Sequence, residues 1–133
     1  MAIHWRGVIH GDVRSKANSR KIVRFGARLA SIKSKPARDF AEAAAAQIPV
    51  LDDLVIGDVA VAGTIYYRNR RPDLDESLVL DALQGRIILN DRQVKAKLFF
   101  HGLDKNNPRV ELVVMSLYHM TEFATAFMGS FAA

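Results

Sequence analysis

The chain has 133 residues and a mass of 14.8 kDa, which is the usual size of one domain. It has no cysteine, which excludes disulfide frameworks, thiolate zinc sites and cysteine nucleophiles, and no apolar run of the ~18 residues that span a bilayer. Residues 1–40 carry ten basic and two acidic side chains, whereas residues 41–133 carry nine basic and twelve acidic ones. This asymmetry favours a basic surface for a polyanion such as nucleic acid, although a solvated basic face would show the same charges.

The first third of the chain predicts a strand, a hairpin and a helix. Residues 2–10 alternate loosely between apolar and polar side chains, as a strand does. Ile22–Phe25 and Leu29–Ile32 flank a glycine and predict a β-hairpin. Ser34 can cap a helix that runs through an alanine-rich segment and ends near Pro49, because the residue before a proline disfavours the helical conformation.

The middle of the chain predicts a long inner strand followed by a short helix. Leu54–Tyr67 is rich in β-branched and aromatic residues and is predicted to be the central strand, bulged at Gly57 or Gly63. Its last two residues are tyrosines on opposite faces, so one is expected in the core and the other near the surface, where it could stack on a base. Asp75–Leu83 predicts a helix that Gly85 ends.

Three further strands are predicted at Ile87–Leu89, Val94–Leu103 and Arg109–Leu117. From Met120 onward, apolar residues recur at spacings of three and four, which indicates a helical face that packs on the core or on a second subunit. This order of elements predicts an α+β fold, a single small domain in which two main helices pack on a mixed β-sheet. The N-terminus lacks the apolar segment of a signal peptide, so we expect a cytoplasmic protein.

Three acidic residues suggest chemistry. Asp73 and Asp75 alternate in R-R-P-D-L-D-E, so an extended chain would aim both carboxylates to one side, and Asp91 follows a predicted strand that could neighbour them. Converging carboxylate oxygens are typical of a Mg²⁺ site. Arginines close by in sequence can hold phosphates that the carboxylates would otherwise repel. These arginines are Arg70, Arg71 and Arg92.

A structural interpretation of the same acids stays open. Asp73 with Glu76 matches a capping pair at a helix N-terminus, Asp75 would interact favourably with the helix dipole, and Asp91 lies in an ordinary turn. Glu76 is therefore either a fourth metal ligand or the reciprocal partner of the cap. Asp81 is expected to be structural, because helical spacing from Asp75 puts it on a different face.

The stretch from Tyr66 to Val114 resembles the RusA family of Holliday junction resolvases. Its sequence is YYRNRRPDLDESLVLDALQGRIILNDRQVKAKLFFHGLDKNNPRVELVV. It combines an arginine-flanked D-L-D, a short helix ending in D-A-L, a strand ending in N-D-x-Q-V and two more strands, in family order. The segment Val13–Arg20, V-R-S-K-A-N-S-R, is similar to a weaker version of the family's polar loop after the first strand.

The resemblance implies one RusA-like endonuclease domain over residues 1–133. Its parts would be a basic N-terminal part (1–40), a catalytic core (54–117) and an apolar C-terminal tail (119–133). The family is common in phages and prophages, so the expected setting is a bacterial host cell. The resemblance implies a homodimer that binds four-way DNA junctions and nicks two opposing strands, with Mg²⁺ or alternatively Mn²⁺. Its role would be in DNA recombination and repair. Neither a membrane nor a small-molecule cofactor is expected.

The resemblance also assigns site residues. The family's essential aspartates, which are catalytic and hold the metal, fall on Asp73, Asp75 and Asp91. We expect basic residues of the first 40 to follow the junction arms, and arginines beside the acids to lie near the cut. The predicted DNA-binding residues are Arg14, Lys16, Arg20, Lys21, Arg24, Arg70, Arg71 and Arg92.

Two positions depart from the family pattern. Glu76 replaces an asparagine, and Val79 stands where many members have a lysine near the scissile phosphate. Either Lys95, Lys97 or Arg92 supplies that cation, or activity is reduced. Glu76 and Lys95 are thus additional site candidates. Two alternatives follow for the whole protein: a branched-DNA-binding protein with weak or no cleavage, and an interaction module whose basic half meets an acidic partner.

Overall fold

The computed structural model describes residues 3–15, 20–26 and 28–129, and it has the predicted α+β architecture. This part of the chain contains six strands, three helices and a single 3-10 turn. In chain order the elements are β1 (Ile3–His10), β2 (Arg20–Phe25), β3 (Arg28–Lys33), α1 (Lys35–Gln47), β4 (Val59–Tyr67), α2 (Ser77–Leu83), the 3-10 turn (Asp91–Gln93), β5 (Val94–Leu103), β6 (Arg109–Ser116) and α3 (Leu117–Met128).

Four of the strands form a mixed sheet in the order β1-β6-β4-β5. β4 is antiparallel to β6 and parallel to β5, and β1 is antiparallel to β6. β4 is therefore an inner strand, as predicted. β2 and β3 form a separate antiparallel hairpin, also as predicted, with Gly26 in its turn at φ 61°.

The core lies between one face of this sheet and the two helices α1 and α2. Fully buried side chains of β4 and β6 meet buried side chains of the helices, and this apolar contact removes both surfaces from water. The largest contributors include Val61, Ile65, Leu112, Phe40, Leu78 and Leu83. Packing α2 here brings the start of that helix beside the end of β4, where the acidic residues lie.

α1 confirms the sequence signals at both of its ends. The Ser34 hydroxyl accepts a hydrogen bond from the Ala37 backbone N–H, and Pro36 occupies the first turn, where its missing N–H has no helical partner to lose. The helix ends at Gln47, just before Ile48 and Pro49. Its buried residues, Phe40 among them, face the sheet.

Two predicted strands need correction. The central strand begins at Val59 instead of Leu54, because Gly57 adopts φ 95°, a left-handed conformation that interrupts an extended chain. The predicted strand Ile87–Leu89 is reduced to isolated bridges from Ile88 to Val55 and Gln84. The predicted bulges in β4 are also wrong, since its pairing shifts register only between Val59 and Ala60, on the side of β5.

Gly63 has a packing role in β4. A Cβ at this position would lie 2.5 Å from the backbone oxygen of Glu111 on β6. A glycine is required here because the two strands approach too closely for any side chain.

α3 begins at Leu117, earlier than the predicted Met120, and packs on the opposite face of the sheet. Met120 is buried, and Phe123 lines a small cavity with Leu98 and Met115. The described part of the tail, up to Gly129, therefore packs on the chain's own sheet, as one of the two predicted options had it, and residues 130–133 lie outside the described residues. Within the described residues, none of the helices has the length and apolar character required to cross a bilayer.

Candidate active site

Asp75 lies in the turn that connects β4 to α2, and its carboxylate is held on both oxygens. Oδ1 accepts hydrogen bonds from the Ser77 backbone N–H (2.9 Å) and the Ser77 hydroxyl (2.6 Å). Oδ2 accepts from the Ser15 hydroxyl (2.9 Å), which belongs to the loop after β1. The side chain that caps α2 is thus Asp75. The predicted capping pair of Asp73 and Glu76 is not formed, since Glu76 makes no side-chain cap bond.

Tyr67, the last residue of β4, anchors the backbone of the same turn. Its buried hydroxyl donates to the Asp73 carbonyl oxygen (3.2 Å) and accepts from the Asp75 backbone N–H (3.1 Å). Burial raises the pKa of the Tyr67 phenol, and the bond from Asp75 N–H opposes that rise, while the charges of Asp75, Glu76 and Asp12 add to it. Three carboxylates therefore place negative charge around this one hydroxyl.

Glu76 and Lys97 form an ion pair across the site. Glu76 precedes α2 and its side chain is only 14% exposed, whereas Lys97 extends from β5 and is 55% exposed. The Lys97 ammonium donates to the Glu76 carboxylate. A little-exposed carboxylate is costly to keep ionised without a cation nearby, and Lys97 supplies one.

A cleft of about 370 Å³ opens between α2 and the start of β5. Both signs of charge line its walls, and Ser77, which binds Asp75, lies among them. The polar residues that line it are Ser77, Asp81, Asp91, Lys95 and Lys97. Carboxylates beside ammonium groups in one open cleft suit a phosphate ester together with a cation.

Asp91 is placed by the 3-10 turn before β5. Its own side chain is exposed, but the turn is rigidly capped: the Asn90 side chain accepts from the Arg92 backbone N–H, and the Gln93 side chain accepts from the Asn90 N–H. Gln84 at the end of α2 accepts from the Asp91 backbone N–H at 3.3 Å. The predicted turn is confirmed, and its hydrogen bonds fix the position of Asp91 relative to α2.

Asp73 faces a different cavity. This second cavity has a volume of about 510 Å³ and is lined by Arg70, Leu74 and His101 as well as Asp73. The alternation expected from an extended chain therefore does not bring Asp73 and Asp75 onto one wall. In residues 3–15, 20–26 and 28–129, no three histidine, aspartate or glutamate side chains are grouped closely enough to hold one metal ion together.

The donor atoms around Asp75 suit a hard divalent cation in their chemistry but not in their placement. The donors around Asp75 are carboxylate and hydroxyl oxygens, which are the ligands that Mg²⁺ prefers, and the accumulated negative charge already attracts the Lys97 ammonium. The carboxylates available to hold such an ion are Asp73, Asp75 and Asp91, with Glu76 as an additional one. As placed here, these side chains do not share one coordination position.

The predicted DNA-binding residues lie in several parts of the chain. Arg70, Arg71 and Arg92 are exposed next to the acids, and Arg14 is exposed beside Asp12 at 3.6 Å. Arg24 is exposed on the β2–β3 hairpin. For Arg20 and Lys21 the structure describes only the backbone, in β2, and Lys16 lies outside the described residues.

The sequence analysis did not assign to the site four residues that the structure brings to the acids. Ser15 and Ser77 bind Asp75, Tyr67 binds the backbone of its turn, and Asp81, expected to be structural, lines the cleft. Ser77 could have been found as the residue two positions after an aspartate at a helix start. Ser15 had no local signal, because 60 residues separate it from Asp75.

Comparisons with known proteins add no assignment. A scan against protein-family models finds no family that matches the chain, and a search of curated proteins finds no relative.

Proposed function

We propose that the protein is a metal-dependent, structure-specific endodeoxyribonuclease that resolves four-way DNA junctions and related branched DNA by paired phosphodiester hydrolysis. The proposal takes its substrate class from the resemblance of Tyr66–Val114 to the RusA family. The observation that carries it is the cleft between α2 and β5, where Asp91 and Lys97 share the walls with Ser77, the partner of Asp75.

The charges of the site support phosphate chemistry over simple binding. Carboxylates repel a phosphate unless a cation lies between them, so a pure DNA binder gains nothing from acids placed among basic residues. When bound, Mg²⁺ or Mn²⁺ supplies charge neutralisation at the phosphate and a water of lowered pKa. The resemblance assigns the ion to Asp73, Asp75 and Asp91, which would have to come together from their present positions to hold it. Lys95 and Lys97 at the cleft wall would contact phosphate oxygens.

Basic residues away from the cleft would supply most of the affinity. Arg24 and Arg28 are exposed near the turn of the β2–β3 hairpin, and Arg70 and Arg71 follow β4 directly. Contacts of this kind go to the DNA backbone, so they depend steeply on salt and carry little sequence information. Preference for a junction would arise from a homodimer, whose two sites match the two-fold symmetry of four DNA arms.

Three observations favour a second candidate, a branched-DNA-binding protein with weak or no cleavage. Lys97 neutralises Glu76, and the described residues include no ready group of three acids for a metal. Val79, at the position where the family has a lysine, is fully buried and contributes no cation to the cleft.

Cleavage of a labelled four-way junction, compared with a linear duplex of the same sequence, separates the candidates. The assay includes Mg²⁺, Mn²⁺ and EDTA arms, the Asp91→Asn variant, and Glu122→Gln on α3 as a matched control. We expect paired nicks in the junction that need metal, disappear in Asp91→Asn and persist in Glu122→Gln.

Other outcomes contradict the proposal in distinct ways. Tight junction binding without nicks in either metal points to the inactive binder, and Val79→Lys is then the substitution to test. A wild-type protein that fails to bind DNA even at low salt is instead an interaction module for an acidic partner.

A further inference from the structure

We propose that an apolar groove on the outer face of the sheet, the face opposite the core, is a homodimer interface that receives helix α3 of a second copy of this chain. This outer groove has a volume of about 600 Å³. Its lining includes Arg6, Val8, Ala62, Gly63, Thr64 and Phe100. The inference rests on the proposed function only in its need for a homodimer, and it names the surface that forms one.

The outer groove has a floor of small side chains and exposed apolar side chains at its sides. Ala62 and Thr64 of β4 belong to the floor, and they alternate with the side chains of that strand that point into the core. Phe100 on β5 pairs in register with Thr64 and is 57% exposed. Val8 on β1 is exposed as well. Apolar side chains grouped on one exposed face are typical of a surface that another protein covers.

α3 already packs on the neighbouring part of this face. Met120 of α3 is buried there, and Ala62 lines both the outer groove and the small cavity under the helix. The outer groove is therefore the part of the face that α3 of the same chain leaves open. A second helix fits beside the first, because a helix about 10 Å wide covers about two strand spacings of roughly 4.8 Å.

α3 also has apolar side chains on a side that its own sheet does not cover. Eight of its twelve residues are apolar or aromatic. Helices with apolar residues on every side are normally buried on every side. Tyr118 lies about 200° around the helix from Met120, on the side away from the sheet, and it is 72% exposed. Since tyrosine is enriched in protein interfaces, the chain contains both a groove and a helix that suits one.

The charges of the outer groove and of α3 are complementary. The groove has an exposed cation, Arg6, whereas α3 contains no lysine or arginine. Arginine packs favourably on aromatic rings, as Arg109 does on Tyr66 at 4.1 Å. The Tyr118 ring of a second copy can meet Arg6 in the same way. Because a two-fold dimer forms each contact twice, one groove and one helix in each chain are enough to close it.

The size of this contact is sufficient for a dimer. A helix of the twelve residues of α3 is about 18 Å long and about 10 Å wide, so half of its cylindrical wall is about 280 Å². Two helices in two grooves, with both surfaces counted, bury about 1,100 Å² in total, which exceeds the roughly 1,000 Å² expected of a biological interface. One helix in one groove would bury only half of this, so the reciprocal arrangement is required.

Two single substitutions test the interface by sedimentation equilibrium. Phe100→Glu places a charge at the outer groove, and Tyr118→Lys places one on the outward side of α3. Ile56→Glu is the matched control, because Ile56 is 79% exposed in the loop before β4 and does not line the groove. Circular dichroism measures whether each variant is folded, and Phe100→Ser or Tyr118→Ser replaces a variant that is not.

We expect the wild type and Ile56→Glu to dimerise equally. Phe100→Glu and Tyr118→Lys should each raise the dissociation constant of the dimer by at least about tenfold, because large aromatic residues contribute most to interfaces. An equal mixture of these two variants should dimerise more tightly than either variant alone. In the mixed dimer one contact joins an intact groove to an intact helix, and the other brings two introduced charges of opposite sign together.

The interface and the nuclease activity fail separately. A wild type that stays monomeric, or a dimer that persists in both variants, overturns the interface, and junction cleavage by that wild type leaves the nuclease standing. A mixture that dimerises no more tightly than either variant alone overturns the pairing of groove with helix. A dimer that responds as expected but does not cleave a junction supports the interface and overturns the nuclease.

Discussion

Replacing Gln93 by alanine should destabilise the protein far more than its partly exposed position suggests. The Gln93 side chain uses both ends of its amide. Oε1 accepts from the backbone N–H groups of Leu89 and Asn90, each at 2.8 Å. Nε2 donates to Val55 O at 2.7 Å and to Gly57 O at 2.9 Å. One side chain therefore joins the loop before β4 to the turn that carries Asp91.

The magnitude follows from these four bonds. At roughly 0.5–1 kcal/mol for each neutral hydrogen bond in a partly exposed setting, Gln93→Ala should lower the free energy of unfolding by about 2–4 kcal/mol. Gln84→Ala is the control, because Gln84 also contacts the Asp91 turn but through one bond of 3.3 Å, and its loss should stay below about 1 kcal/mol. Gln93→Glu retains the acceptors and loses both donors, so we expect it to be at least as destabilising as alanine at neutral pH.

Urea denaturation measures the free energy of unfolding of all three variants. Unfolding is followed by the fluorescence of Trp5, the single tryptophan, which packs against the core. We also expect Gln93→Ala to weaken junction cleavage, because the turn that places Asp91 loosens. If Gln93→Ala loses no more stability than Gln84→Ala, the four hydrogen bonds of Gln93 do not stabilise the fold.

Three further substitutions test other parts of the structure by the same denaturation experiment. Gly63→Ala should cost about 1–3 kcal/mol, because its Cβ would meet Glu111 O on β6, and an unchanged stability would contradict this strand register. Leu78→Ala should cost about 2–5 kcal/mol by leaving a cavity under α2, and a loss below 1 kcal/mol would show that this helix is not packed as described. The Arg109 hydrogen bond holds the pKa of Asp104 below its ordinary value of 3.8, so the ionised carboxylate favours the folded state. Asp104→Asn should therefore be less stable than the wild type at pH 7, and the difference should shrink as the pH falls below about 4; a difference independent of pH would contradict this.

Elements with strong local signals could be predicted from the sequence. β5 was predicted as Val94–Leu103 and is observed over those residues, because turn-forming residues bound it on both sides. α1 is equally clear between Ser34 and Pro49. Leu54–Ile56 contains the kinds of residues that form strands, yet it lies outside β4. Gly57 at φ 95° interrupts the extended chain, and Val55 forms only an isolated bridge to Ile88.

The acidic residues of the site could be predicted from the sequence, but their arrangement could not. Sequence spacing predicts that Asp73 and Asp75 share a side, but Asp73 lines a separate cavity while the Asp75 carboxylate binds Ser15 and Ser77. The pairing of Glu76 with Lys97 spans 21 residues and depends on β5 running parallel to β4. Local patterns carry no information about such contacts, because they arise from the strand order of the sheet.

In the proposed function, carboxylates beside the cleft between α2 and β5 promote metal-dependent hydrolysis of branched DNA. Asp75→Asn tests it most directly, because asparagine retains an oxygen to accept from Ser77 and removes the negative charge. Junction binding and junction cleavage in Mg²⁺ are measured on the same samples of wild type and variant. We expect equal or tighter junction binding by Asp75→Asn and loss of cleavage. Cleavage at the wild-type rate by Asp75→Asn, or no cleavage by the wild type, would contradict it.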